Sequence, residues 1–435
     1  MIKLLNGFFP LWDFLYILQL EEYQLQRYWH QVGRRLYKRG FQKRDTLHYT
    51  GRIKLTIGLL LLILAALVAE LVQLQLYVYA ILVLATLPLT TPYLIGMVSA
   101  VVGVLVALQT KRRLQAARVY FTANYPNTTV IAITGSFGKT TTKYLLQHVL
   151  QYDHQVAIIP DNINTSLGIA GHILAGKVPK QTELLVVEMG AYTRGDIAQS
   201  AQVVVPDLAI ITILGDQHLE RFGSHAKLVQ GKSELFTTNQ QTKCYVTPDS
   251  LSLIQEQHIP TNQLQVVPVP PKAKSTTYLV TQLALDLGVS AESIAASVAT
   301  FNPPDRRNNI IERQGVTIID NSYNISPMVA EAMLQEAART AATHGKQLVV
   351  MTAGIGEQGT AGPAANNRLG ELINQYGSRV ILHPSVFAKD VERALSVPFV
   401  YTAMGLDVSQ QPARWLDGDL ELLLWLTDHG DEAYL

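Results

Sequence analysis

From Leu55 to Thr110 the chain is almost continuously apolar, and Glu70 is its one charge. A helix crosses a bilayer in about 20 residues, so this block is too long for one span and suits two. The pattern predicts a helical hairpin over about 55–110. Pro88 and Pro92 either kink its second helix or mark where that helix starts. Ahead of the block stand Arg34, Arg35, Lys38, Arg39, Lys43, Arg44, Arg52 and Lys54, opposed in that stretch by Asp45; behind it stand Lys111, Arg112 and Arg113. Basic residues on both flanks place both ends on the cytoplasmic side. The block begins too late for a signal peptide, and no cleavage pattern follows it. Further upstream, "FFPLWDFLYILQLEEYQLQRYW" mixes aromatic, leucine and charged positions. It reads first as an interfacial helix, otherwise as a third span carrying Asp13 or as a soluble helix packed on the catalytic part.

After residue 114 the pattern changes to short apolar runs with turn signals and helical stretches between them. "VIAITG", "TELLVVE", "PDLAIITILGD", "GVTIID", "QLVVMTAGIG" and "SRVILHP" read as strands of open α/β sheets. "FNPPDRR", 301–307, reads as a linker stiffened by paired prolines. Three regions follow: a membrane-associated part over 1–114, a central nucleotide-binding α/β domain over 115–300, and a second α/β domain over 301–435.

Charge composition changes this picture little. Thirty-five Lys+Arg against 34 Asp+Glu leave a formal net charge of +1, which gives no case for nucleic acid as a partner. The single cysteine, Cys244, excludes an internal disulfide and a cysteine-based metal cluster, and reads as a small buried hydrophobe.

The chemistry gathers at strand ends. After "VIAITG" come Ser136, Phe137, Gly138, Lys139, Thr140 and Thr141. Gly135 and Gly138 let the backbone turn tightly around phosphate with its N–H groups inward. Lys139 reaches terminal phosphates, and the Thr140 hydroxyl suits Mg²⁺. The helix that follows directs its positive end to the same place. Gly135 precedes Gly138 by three positions, fewer than the five of the usual phosphate loop. Glu188, His218 (beside Asp216) and Asp320 each close a strand, where an open α/β sheet holds its ligands. Glu188 and His218 are candidate Mg²⁺ ligands. "GIGEQGT", 354–360, follows a strand but lacks dinucleotide-binding spacing.

Together "TGSFGKTTT", "NINTSLG", "VVEMGAYTRGDIA", "HLERFGS", "GKSELF" and "IIDNSYNISP" resemble the Mur ligase family, in family order over about 125–360. Within it the D-alanyl-D-alanine-adding branch is most alike. The resemblance implies a P-loop ATPase-like central domain and a Rossmann-like C-terminal domain. It also implies an ATP-dependent ligase of cell-wall precursor synthesis, which joins a carboxylate to an amine through an acyl phosphate. On that template Lys139 stabilises the moving phosphoryl group, Thr140 and Glu188 hold one Mg²⁺, and His218 holds a second. Lys232 matches the lysine that becomes carbamylated. Asn164 lies near nucleotide and substrate. Arg306, Asp320, Tyr323 and Asn324 approach the nucleotide from the third domain.

The sequence also departs from the family. The membrane segment takes the place of the UDP-binding N-terminal domain, and the central domain is short. Thr276 stands for an asparagine, Asp305 for a glycine, Ser326 for an asparagine and Asn366 for a histidine. "LDGDLELLLWLTDHGDEAYL" replaces the stretch that helps hold the incoming dipeptide. Three functional classes therefore stand open. One is a membrane-bound ligase acting on a UDP- or lipid-linked muramyl-type carboxylate with an amino acid, dipeptide or ammonia, alone or within a wall-building complex. Another is the ATP-using subunit of an amidating enzyme with a glutaminase partner. The last is an ATP-binding membrane scaffold.

Overall fold

The computed structural model describes residues 11–20, 23, 25–37, 47–160, 163–215, 219–271, 273–304, 309–322, 325–356, 358, 361–402 and 412–426. Two compact units are present, Met1–Arg113 and Leu114–Leu435.

In the first unit the apolar block folds as helix Gly51–Gln73, a turn, and the helix Tyr77–Asn124. Both hold a stretch long and apolar enough to cross a membrane. Thr50 caps the first, its hydroxyl accepting the Ile53 N–H. The second begins eleven residues before Pro88 and continues through both prolines, so neither marks its start. Thr86, Thr90 and Thr91 return their hydroxyls to the carbonyls of Leu82, Thr86 and Leu87. Polar groups near the prolines are thereby satisfied without water.

Helices Leu11–Leu20 and Leu25–Tyr37 pack on this pair. Leu15, Leu18, Tyr28 and Val32 share one core with Ile53, Leu60, Ile95 and Val102. The Tyr28 hydroxyl donates to Pro92 O at 2.8 Å, and Gln19 makes two 2.8 Å hydrogen bonds to the His48 backbone. The N-terminal stretch is thus two short helices that share a core with the hairpin.

In the second unit, β1 (Thr129–Thr134), β2 (Val156–Ile158), β3 (Leu184–Glu188), β4 (Leu208–Ile211), β5 (Lys243–Val246) and β6 (Leu264–Val266) form a parallel sheet in the order β2-β3-β1-β4-β5-β6. Alternate residues serve opposite faces. Val130, Ala132, Leu185 and Ile211 meet the helices Ser166–Leu174 and His225–Thr237, while Ile131, Ile133, Val186 and Ile210 meet Lys139–Leu150 and Ser275–Asp286. Being covered on both faces, these strands read as continuous apolar runs. Cys244 lies buried among them. The helix after β1 packs on the opposite face from those after β2 and β4, so a crevice opens at the carboxyl end of β1. Leu114, Ala117 and Phe121, from the end of the helix Tyr77–Asn124, also enter this core.

The second sheet contains β7 (Asn309–Arg313), β8 (Val316–Asn321), β9 (Gln347–Thr352), β10 (Arg379–Leu382), β11 (Phe399–Tyr401) and β12 (Glu421–Leu426), in the order β11-β10-β9-β12-β8-β7. All neighbours are parallel except β7, which forms an antiparallel edge with β8. The unusual C-terminal tail therefore supplies an inner strand, β12, between β8 and β9.

Candidate functional site

The crevice at β1 is built by a tight loop. Gly135 has φ +143° and Gly138 φ +80°, conformations that favour glycine. A Cβ on Gly135 would run into the Thr212 side chain. That side chain is fixed by its hydroxyl, which donates to Phe137 O at 2.6 Å. Ser136 N donates to Ile213 O at 2.7 Å, and Ser136 Oγ donates to Gly215 O at 2.7 Å. The loop is thus pinned to the segment that leaves β4 for residue 218. Gly138 then opens the helix Lys139–Leu150.

Three side-chain systems converge here. Lys139 Nζ curls over the loop, donating to Gly135 O at 3.0 Å and Ser136 O at 3.1 Å. Lys232 Nζ, on the helix His225–Thr237, donates to the same Gly135 carbonyl at 2.8 Å. Glu188, at the end of β3 and in register with Ile133, accepts the Thr140 hydroxyl at 2.7 Å and Asn164 Nδ2 at 3.2 Å. Lys143 Nζ stands 3.7 Å from the same carboxylate.

Burial sets the electrostatics. Lys232 is 1% exposed. Burial, and then the nearby Lys139 charge, push its amine well below the ordinary lysine range, against an opposing pull from Glu188. Glu188 is 3% exposed. Burial alone would raise its carboxyl, but Lys139, Lys143 and the Thr140 and Asn164 hydrogen bonds outweigh that and hold it below the usual glutamate value. The site therefore combines an ionised buried carboxylate with a lysine biased toward its neutral form.

Gly135, Ser136, Phe137, Gly138, Lys139, Thr140, Thr141, Asn164, Glu188 and Lys232 all belong to this loop and its immediate walls. Asp320 stands in the second sheet, at the end of β8, where its carboxylate accepts the Ser322 N–H at 3.0 Å. His218, Arg306, Tyr323 and Asn324 lie outside the described residues, as does Asp305. Among the described residues no group of three or more His, Cys, Asp or Glu is placed to hold a metal. Thr140 and Glu188 nevertheless offer two hard oxygen donors in hydrogen-bonding contact, a pairing that suits Mg²⁺. The glycine cradle and the helix start suit phosphate.

Lys143 was not among the sequence candidates. Its signal is its position, four residues after Lys139 and so on the same helix face, with no exposed surface. Of the departures, Asn366 is buried and staples the turn after β9, accepting Ile355 N–H at 2.7 Å and donating to Ile355 O and Gly362 O. Ser326 caps the helix Pro327–Thr343. Thr276 lies beside the phosphate-loop turn: a Cβ on Gly138 would be 3.1 Å from its hydroxyl.

Known proteins resemble this chain in sequence and in fold. Residues 133–299 match the Mur ligase middle domain. The chain is 25% identical over 317 residues to UDP-N-acetylmuramoyl-tripeptide–D-alanyl-D-alanine ligase of Treponema pallidum, covering 66% of this chain and 67% of that one. It is 25% identical over 257 residues to the Bacillus subtilis enzyme of the same name, covering 52% and 56%. The chain thus spans between about half and two thirds of these relatives. The fold matches MurF ligase from Thermotoga maritima, solved in complex with ADP, at TM-score 0.63 and 21% identity, covering 74% of this chain and 80% of that one.

Proposed function

We propose that the chain, which carries a Mur ligase middle domain over residues 133–299, is an ATP-dependent carboxylate–amine ligase of peptidoglycan precursor synthesis. The observation that carries this reading is the convergence of Lys139, Lys232 and the Thr140–Glu188 pair on the Gly135–Gly138 turn.

The chemistry needs no side-chain nucleophile. A substrate carboxylate oxygen attacks the γ-phosphorus of ATP, the bond to the β-phosphate oxygen breaks, and ADP leaves. The amine nitrogen then attacks the acyl phosphate carbon, the C–O bond to phosphate breaks, and the amine gives up a proton. The protein's part is alignment and charge stabilisation. Lys139 exchanges the Gly135 and Ser136 carbonyls for phosphate oxygens. Thr140 and Glu188, with His218, would hold Mg²⁺, which supplies positive charge at the phosphates when bound. Lys143 and Asn164 hold the Glu188 carboxylate in place. The neutral bias of Lys232 suits an amine that adds CO₂ to become a carbamate, turning a cation into an anion at the metal side. Arg306, Asp320, Tyr323 and Asn324 are proposed nucleotide contacts from the third domain, and closing that domain would shield the acyl phosphate from water.

The carboxylate is proposed to be a muramyl-peptide type, UDP- or lipid-linked, and the amine an amino acid, dipeptide or ammonia. The two apolar helices anchor the enzyme in the cell membrane with its catalytic domains in the cytoplasm. That placement favours a lipid-linked substrate.

The test is phosphate release by the full-length protein in detergent with ATP and Mg²⁺, read together with product mass. UDP-linked and lipid-linked muramyl tripeptides are each supplied with D-Ala-D-Ala, single amino acids or ammonia. A new amide, abolished by Lys139→Ala, is the expected result. No stimulation by any pair would overturn the ligase reading in favour of a scaffold. Activity with ammonia alone would point to a glutaminase partner.

A further inference from the structure

The first unit carries a cation that no described residue neutralises. Arg52 lies in the first turn of the helix Gly51–Gln73. Its guanidinium carbon is 4.2 Å from the centroid of the Tyr23 ring, and the Tyr23 hydroxyl is 2.8 Å from Thr50 Oγ1. On its other side Nη2 approaches the second long helix at Gly103, where a Cβ would lie 3.3 Å away. Among the described residues no carboxylate forms an ion pair with Arg52. Its Nε is sealed from solvent and has no hydrogen-bond partner.

A second open group lies close by. Ser99, one turn before Gly103, is 1% exposed, and its hydroxyl also has no partner. Thr56, one turn after Arg52, is already committed, its hydroxyl donating to Arg52 O at 2.9 Å. Among the described residues, two facing helices thus present a guanidinium without a carboxylate partner and an unpaired hydroxyl on neighbouring turns.

These groups ask for an oxyanion. A guanidinium laid on an aromatic ring keeps its edge for hydrogen bonding, and here the Nη groups, not the sealed Nε, are the ones that reach a phosphate. The unpaired backbone N–H groups at a helix start favour the same charge. If the helix spans a bilayer, its first turn lies at the level of the lipid phosphates. The exposed ring of Tyr49, three residues before Arg52, fits that level.

We propose that Arg52, stacked on Tyr23 and neighboured by Ser99, binds the phosphate group of a membrane phospholipid. This rests on the membrane placement proposed above and not on the ligase reading.

The full-length protein in detergent, with Arg52→Gln and Gly103→Leu, provides the test. The first variant removes the charge; the second keeps it and fills the notch that receives it. Thermal midpoints are measured with phosphatidylglycerol, with diacylglycerol of the same acyl chains, and with inorganic phosphate. Phosphatidylglycerol should raise the wild-type midpoint by about 3 °C more than diacylglycerol does, and free phosphate should have no effect. Both variants should lose that difference, and without lipid Arg52→Gln should be no less stable than wild type. If one variant fails to fold, the other carries the comparison. Equal effects of the two lipids on wild type, or an undiminished difference in a folded variant, would overturn the site. Protection by free phosphate as strong as by phosphatidylglycerol would overturn the lipid assignment. Alkaline carbonate extraction of the source membranes separates the premises. Release into the supernatant defeats the membrane placement, whereas retention with indifference to the headgroup defeats this proposal alone.

Discussion

Glu188 is the residue on which most of the site's charge depends, because buried Lys143 leans on it as well as Thr140 and Asn164. Removing one partner of a buried ion pair costs about 3–5 kcal/mol, since the other charge is left uncompensated. Glu188→Gln should lose that much stability in metal-free buffer. Glu188→Gln with Lys143→Met should lose clearly less, and urea unfolding of the four species closes the cycle. Additive losses would mean that the 3.7 Å contact carries no coupling. Lys232 gives a pH signature. Its folded amine titrates well below its unfolded value of about 10.4, so in that window unfolding takes up a proton and stability rises with pH. In carbonate-free buffer wild type should gain stability from neutral pH toward pH ~10 relative to Lys232→Met. Parallel pH profiles would contradict this. That Lys139, Thr140 and Glu188 gather at one turn was legible, because a glycine turn after one strand and a carboxylate closing another meet at the same sheet edge. Lys143 was not, because a lysine on a helix reads as solvated surface until the fold buries it.

At the level of elements, the apolar runs of β1, β3, β4, β8, β9 and β10 could be read directly, since strands covered on both faces lose polar alternation. β2, β6 and β11 are three residues each, too short to carry a pattern. β12 was overlooked for another reason. "ELLLWL" is a plain buried-strand signal, but it stood in a tail read as a departure from the family. The second apolar helix escaped a simple reading because prolines usually break helices, whereas here the helix Tyr77–Asn124 runs through both. The phosphate-loop turn yields a sharper test. Gly138→Ala meets a left-handed φ, with a cost of about 1–2 kcal/mol. Gly135→Ala meets a positive φ and also the Thr212 side chain, each adding about 1–3 kcal/mol. Thermal unfolding should therefore rank Gly135→Ala as the worse lesion. Placing it in a Thr212→Ala background should recover part of the loss, because the overlap is relieved and the backbone strain is not. Full recovery would show that φ at 135 is unimportant.

At the scale of the whole molecule, the question is which solvent surrounds the first unit. Leu62, Ile63, Val78, Ile81, Met97 and Val104 point outward from its two long helices, and Leu62 is 65% exposed. Water and lipid predict opposite consequences for such a surface. In water an exposed leucine contributes little, so Leu62→Arg would be neutral or would improve solubility. In a bilayer the same change puts a guanidinium in the middle of helix Gly51–Gln73, at a cost of about 2.5–3.5 kcal/mol for insertion. That is enough to shift the inserted fraction more than tenfold. Glu70 makes the natural control, because it sits one turn from the helix end, where a charge can reach the headgroups, and Glu70→Lys should change insertion much less. Comparing the three chains by membrane fractionation after expression decides the matter. Loss of Leu62→Arg from the membrane fraction, with wild type and Glu70→Lys retained, is the outcome a spanning hairpin requires. Equal partitioning of all three would leave the apolar surface to be covered by protein, and the catalytic unit would then have no membrane to bring its carboxylate to it.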